Sequence, residues 1–152
     1  MNARGRRRAC TPAEASTRLR HAEAFFATAQ LVASEEGKPT DYDYNHVAAG
    51  VAVLAAIAAS DALCCKLLGE RARGQDHRQA IEVLEEIRYG EGNPAAQQRR
   101  TRELSQALAT ALDIKDESHY GTRMLTAEQV TRVMRAAEKL VSAARRVIRG
   151  GV

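Results

Sequence analysis

No tryptophan occurs among these 152 residues, and there are only two phenylalanines, four tyrosines and three prolines. So few aromatic residues deprive a sheet of its preferred side chains, which makes strands an unexpected element. So few prolines leave long helices uninterrupted. A phosphate-binding glycine loop, a paired CxxC, an HExxH and a GxSxG are all missing. Those absences disfavour a standard nucleotide-binding or zinc enzyme, and neither a metal nor a cofactor is expected. The longest unbroken apolar run, residues 47–59, is followed closely by Asp61 and Lys66 and is shorter than the roughly 20 residues that a bilayer requires. No signal segment is read at the charged start, and the expectation is a cytoplasmic protein without a membrane span.

Acidic residues are absent from the first ten positions, where Arg4, Arg6, Arg7 and Arg8 stand. These four account for the formal net charge of +4, and residues 11–152 are balanced. The basicity therefore belongs to a tail, read as a disordered basic arm over residues 1–10 ahead of a functional basic arm, and is weak evidence for a nucleic-acid footprint on the fold. Cysteine is scarce as well. Cys10 lies in the arm, and the adjacent Cys64 and Cys65 would point about 100° apart on a helix, too divergent to share a metal or an easy disulfide. They read as small core residues in a reducing compartment.

What is abundant is alanine, at 29 positions. Alanine is the strongest helix former, and five helical segments can be traced. Thr11, Pro12 and Glu14 supply an N-cap, a proline at the first helical position and a carboxylate at the third. The helix they open should run to about Glu36 with Leu19, Ala22, Phe25, Phe26 and Ala29 as its stripe, ended by Gly37 and Pro39. A second helix, over residues 44–68 and capped by Gly69, is apolar on nearly every face, so it is the buried central one. Its alanines at 48, 52, 55, 56, 59 and 62 would let neighbours approach closely. A third helix, capped by Asp76, is expected over residues 77–89. A fourth starts at Asn93 and Pro94 and turns amphipathic at Leu104, Leu108, Ala111 and Leu112. The fifth opens with the capping box of Thr126 and Gln129 and carries Val130, Val133, Ala137, Leu140, Val141, Ala144 and Ile148 at the cleanest helical period in the chain. The expectation is all-α: one antiparallel four- to five-helix bundle over residues 11–152.

Three polar groups could carry chemistry. Asp61, after Ser60, interrupts the apolar central helix, and must be solvated at its edge or paired. Near the end of the fourth helix, Lys115 and His119 share one face while Asp116 and Tyr120 share the next. A cation beside an imidazole suits metal-free phosphodiester cleavage, in which the ring moves a proton and the fixed charge steadies phosphate oxygens. The same pair would equally complement the dipole of a helix C-terminus. At the start of the third helix, His77 and Arg78 could meet a phosphate beside free N–H groups, or simply follow an Asp cap.

The helix order, the segment 58–63 around Asp61, the Asp76-His77 start and the segment 112–121 containing Lys115, Asp116, His119 and Tyr120 together resemble the HEPN superfamily of helical domains. A homodimer is expected, because the central helix has more apolar circumference than four neighbours in so small a bundle need to cover. In the catalytic members of that superfamily the resemblance implies a metal-independent ribonuclease, with Lys115 standing where an arginine is usual, His119 as the histidine, and Asp61 and Asp116 as accompanying polar residues. Lysine lacks the planar fork of arginine, and only three residues separate Lys115 from His119. The ending with Tyr120 is similar to the branch of accessory modules found beside nucleotidyltransferases. The functional expectation is a non-catalytic module that binds RNA, a nucleotide or a partner protein, such as a nucleotidyltransferase or an antitoxin, in a defence or toxin–antitoxin setting. The alternatives are a dimeric ribonuclease and a structural bundle.

Overall fold

The computed structural model describes residues 7–34, 42–74 and 76–150. Five helices dominate it: α1 (Pro12–Ala33), α2 (Asn45–Leu68), α3 (His77–Leu84), α4 (Pro94–His119) and α5 (Ala127–Arg149). The all-α bundle is thus present, with one small addition. Strands β1 (Arg7–Ala9) and β2 (Glu70–Ala72) pair antiparallel, in the register Arg7 to Ala72, Arg8 to Arg71 and Ala9 to Glu70.

Local chemistry starts each helix where the residue types require it. Thr11 and Glu14 form a reciprocal capping box ahead of Pro12, and Thr126 and Gln129 form another. Asn93 accepts from the Ala96 N–H at 2.9 Å before Pro94. Caps of this kind each stabilise a helix by about 1 kcal/mol. Gly69 and Gly150 stop α2 and α5 in left-handed backbone, at φ 71° and 61°, where a side chain would be strained.

Helix α2 is the centre, packed by α1, α4 and α5. Ala49, Ala52, Val53, Ala55, Ala56, Ala58, Ala59, Ala62 and Leu63 are fully buried along it. By length and composition α2 could cross a membrane, more than its longest unbroken apolar run suggests. Here most of that apolar stretch, 72% of it, is buried inside the bundle. Leu19, Leu84, Leu108, Leu140 and Val133 close around it, each contributing about 1.5–3 kcal/mol through burial.

Several sequence expectations need correction. Strands do occur, because composition argues against a sheet that must build a core, whereas a three-residue ladder is made of backbone hydrogen bonds. The arm read as disordered over residues 1–10 is ordered from Arg7 onward, and its first six residues lie outside the described part. Cys10 and Cys65 are not separate thiols: they form a disulfide with Cα atoms 5.4 Å apart. The divergence of Cys64 and Cys65 frees one to reach across to the arm, a pairing that only the path of the chain reveals. Cys64 alone is a buried free thiol. Helix α1 ends at Ala33 rather than Glu36, and Gly37 and Pro39 lie outside the described residues. Helix α3 ends at Leu84 rather than Tyr89. The chain leaves helical form there so that the Ile87 carbonyl can accept from Thr101 Oγ1 of α4 at 2.7 Å.

Candidate functional site

The end of the bundle where α2 and α5 begin and α4 finishes holds a cavity of about 210 Å³. Its chemistry comes from Asp43 and His46 before and within the first turn of α2, from Glu117, Ser118 and His119 at the end of α4, and from Arg123 in the following loop. Two glycines shape it. At Gly50, one turn beyond His46, a Cβ would lie 3.0 Å from Nε2 of His119, so the bare backbone of α2 seats the imidazole. At Gly121 a Cβ would collide with Glu117, whose Oε2 is buried without a hydrogen-bond partner among the described residues.

The last turn of α4 is tightly tied. Ser118 Oγ donates to the Lys115 carbonyl at 2.9 Å, and the Tyr120 N–H donates to the Asp116 carbonyl at 2.7 Å. The Tyr120 ring stands edge-on to His119 with centroids 5.9 Å apart. It is 78% exposed.

Of the residues singled out from sequence, His119 lines this cavity and Tyr120 borders it through the ring contact. Lys115 and Asp116 are not among its lining residues. Asp61 sits eleven residues along α2 from Gly50, about 16 Å at helical rise. There its carboxylate accepts from Arg18 at 2.9 and 3.2 Å and lies 3.8 Å from Arg71 of β2. Burial pushes the Asp61 carboxyl above its ordinary value, against the lowering effect of the two arginines. It joins α1, α2 and β2 and does not share a site with His119 within one chain. His77 and Arg78 stand beside Asp76, whose side chain caps Gln79, and neither lines the cavity that holds His119.

Sequence reasoning missed His46, Glu117 and Arg123. One signal was present: Gly50 inside a helix otherwise rich in alanine marks a close approach, though nothing local says that His119 makes it. A second feature of this end is apolar. The large hydrophobic side chains left exposed among the described residues are Leu31, Tyr42, Val47, Tyr120 and Met124. All five lie where α1 ends, α2 begins and α4 passes to α5. Beside them a notch of about 370 Å³ opens between Phe26, Tyr44, Ala48, Val130 and Met134.

Another groove, about 650 Å³, runs along α4 and α5. Arg132, Arg135 and Lys139 line it, but so do Glu103 and Glu128, and that near balance gives it no strong preference for an anion. No group of His, Cys, Asp and Glu able to hold a metal occurs among the described residues. Compared with protein-family models and with curated proteins, the sequence matches none.

Proposed function

We propose that this chain is a HEPN-like helical module that binds a partner protein and does not cleave RNA. The observation that carries the reading is the gathering of Leu31, Tyr42, Val47, Tyr120 and Met124 at the end that also holds His119. Exposed apolar side chains collected in one place mark interaction surfaces, and tyrosine and methionine are among the residues enriched there. The polar cavity supplies orientation, since His46, His119 and Arg123 can donate while Asp43 and Glu117 accept.

Electrostatics favours a protein over RNA or a nucleotide. The fold beyond the tail is neutral, and two carboxylates face the single arginine in the cavity, which is a poor host for phosphates. Cleavage is disfavoured because the cation and the distal carboxylate that would accompany His119 do not line its cavity. A nucleotidyltransferase or an antitoxin is the partner that the family resemblance implies, and a homodimer is the further expectation drawn from the apolar central helix.

A photo-crosslinking side chain at position 120 tests the reading in cells that make the protein. It should capture one discrete second polypeptide, and Met124→Glu should abolish that capture. Equal capture from a crosslinker at position 106, in the α4–α5 groove, would reject this end as the interface. Incubation of purified protein with RNA and a chelator should give no products. Cleavage lost in His119→Ala would restore the ribonuclease reading instead.

A further inference from the structure

At the opposite end of α2, residues 7–10 are strapped to the bundle. The Cys10 N–H donates to the Gly69 carbonyl at 2.9 Å, and β1 lies along β2. Arg7 makes a two-pronged contact with Glu86, and its Nη1 lies 3.5 Å from Glu70. Noncovalent contacts of this kind hold weakly: the Glu70 and Glu86 side chains are nearly half exposed, so their ion pairs with Arg7 are screened on that side, and two short strands are marginal by themselves. The covalent bond between Cys10 and Cys65 is what keeps the strap in place.

We infer that this strap is a redox latch, in which reduction of the Cys10–Cys65 disulfide by a dithiol releases residues 7–10 from β2, and the reverse exchange with a disulfide oxidant, which is itself reduced to a dithiol, seats them again. Cys10 is partly exposed, whereas Cys65 is 2% exposed, so an external thiolate attacks Sγ of Cys10. The disulfide breaks, Cys65 leaves as a thiolate and takes a proton, and a mixed disulfide forms on Cys10. The second thiol of the reductant then displaces Cys10, so that two electrons and two protons pass to the protein and the reductant becomes a cyclic disulfide. Cys64 does not intercept these steps. It is 2% exposed, points elsewhere on the helix, and burial pushes its thiol up to about 12, which leaves it protonated and unreactive. Release uncovers the backbone edge of β2 and frees Glu86 and Glu70 from Arg7.

Trypsin reads the latch directly, because the bond between Arg8 and Ala9 lies inside β1. In the oxidised full-length protein, cutting at that bond should be slow. Dithiothreitol, or the Cys10→Ser substitution, should raise the rate at least tenfold while far-UV circular dichroism stays constant. Cys64→Ser should keep the same response to reductant. Alkylation of oxidised, denatured protein should modify one cysteine, Cys64. Equal cutting rates with and without reductant, or three alkylated cysteines, would overturn the latch. Loss of helicity on reduction would also overturn it, by showing a staple of the whole fold rather than a local release.

Discussion

The imidazole of His119 rests on the bare backbone of Gly50, so the end of α4 and the start of α2 meet without an intervening side chain. Gly50→Ala tests this seat. Alanine gains about 1 kcal/mol of helix propensity over glycine, and its methyl would stand 3.0 Å from Nε2, which a surface histidine can escape by rotating. The expected outcome is stability within about 1 kcal/mol of the parent, together with a displaced His119 ring resonance in the NMR spectrum. An unmoved resonance would mean that the ring does not sit there.

Close packing around α2 makes a second prediction. Ala56 is fully buried, and leucine there would force apart helices that approach over small residues. Ala56→Leu should cost about 1–3 kcal/mol, read as a lower urea midpoint. An unchanged midpoint would mean that space remains beside Ala56.

Acid sensitivity follows from opposed carboxyl groups. Glu23 of α1 accepts from Arg145 at 2.7 Å and from Arg149 at 2.6 and 2.8 Å; the hydrogen bond from Arg149 is the chief reason its carboxyl lies below the ordinary 4.5. Arg7 lowers Glu86 in the same way. A carboxyl with a depressed folded value contributes stability above its unfolded value and loses it as pH falls through the folded one. Asp61 has the opposite sign, since burial raises it above 3.8, and its contribution declines as pH rises through the folded value. Glu23→Gln should therefore lower the melting temperature at pH 7, and the difference from the parent should close as pH is taken well below 4.5. A gap that persists in acid would mean that the pairing with Arg145 and Arg149 is not the cause.

The disulfide spans 55 residues. Disulfides typically stabilise a fold by about 2–4 kcal/mol, largely by constraining the unfolded chain. Calorimetry of Cys10→Ser under oxidising conditions should show a melting temperature lower by about 5–15 °C, at 2–4 °C per kcal/mol for a chain of this size. A shift under about 2 °C, less than 1 kcal/mol on the same scale, would leave the bridge without a role in stability.

Much of the architecture was legible in local chemistry. The caps at Thr11, Asp76, Asn93 and Thr126 and the stop at Gly69 mark helix boundaries through contacts that each span only three or four residues of sequence. The stripe from Val130 to Ile148 needs only the helical period to declare which face is inward. The end of α3 was less legible, because a carbonyl at Ile87 is claimed by Thr101, fourteen residues away. The candidate site was legible in part: His119 and Tyr120 drew notice through their neighbours in the chain, while His46 carried no motif and gained meaning only from lying across a cavity from His119.

Residue type and order, by themselves, determined that this protein is helical, where its helices start and that α2 is central, since propensity, capping and periodicity act over a few residues. Tertiary structure alone decided the rest. It separated Asp61 from His119, bound Cys10 to Cys65, and drew Leu31, Tyr42, Val47, Tyr120 and Met124 to one end. Those relationships join residues tens of positions apart, and their energies exist only once packing has fixed the distances between helices.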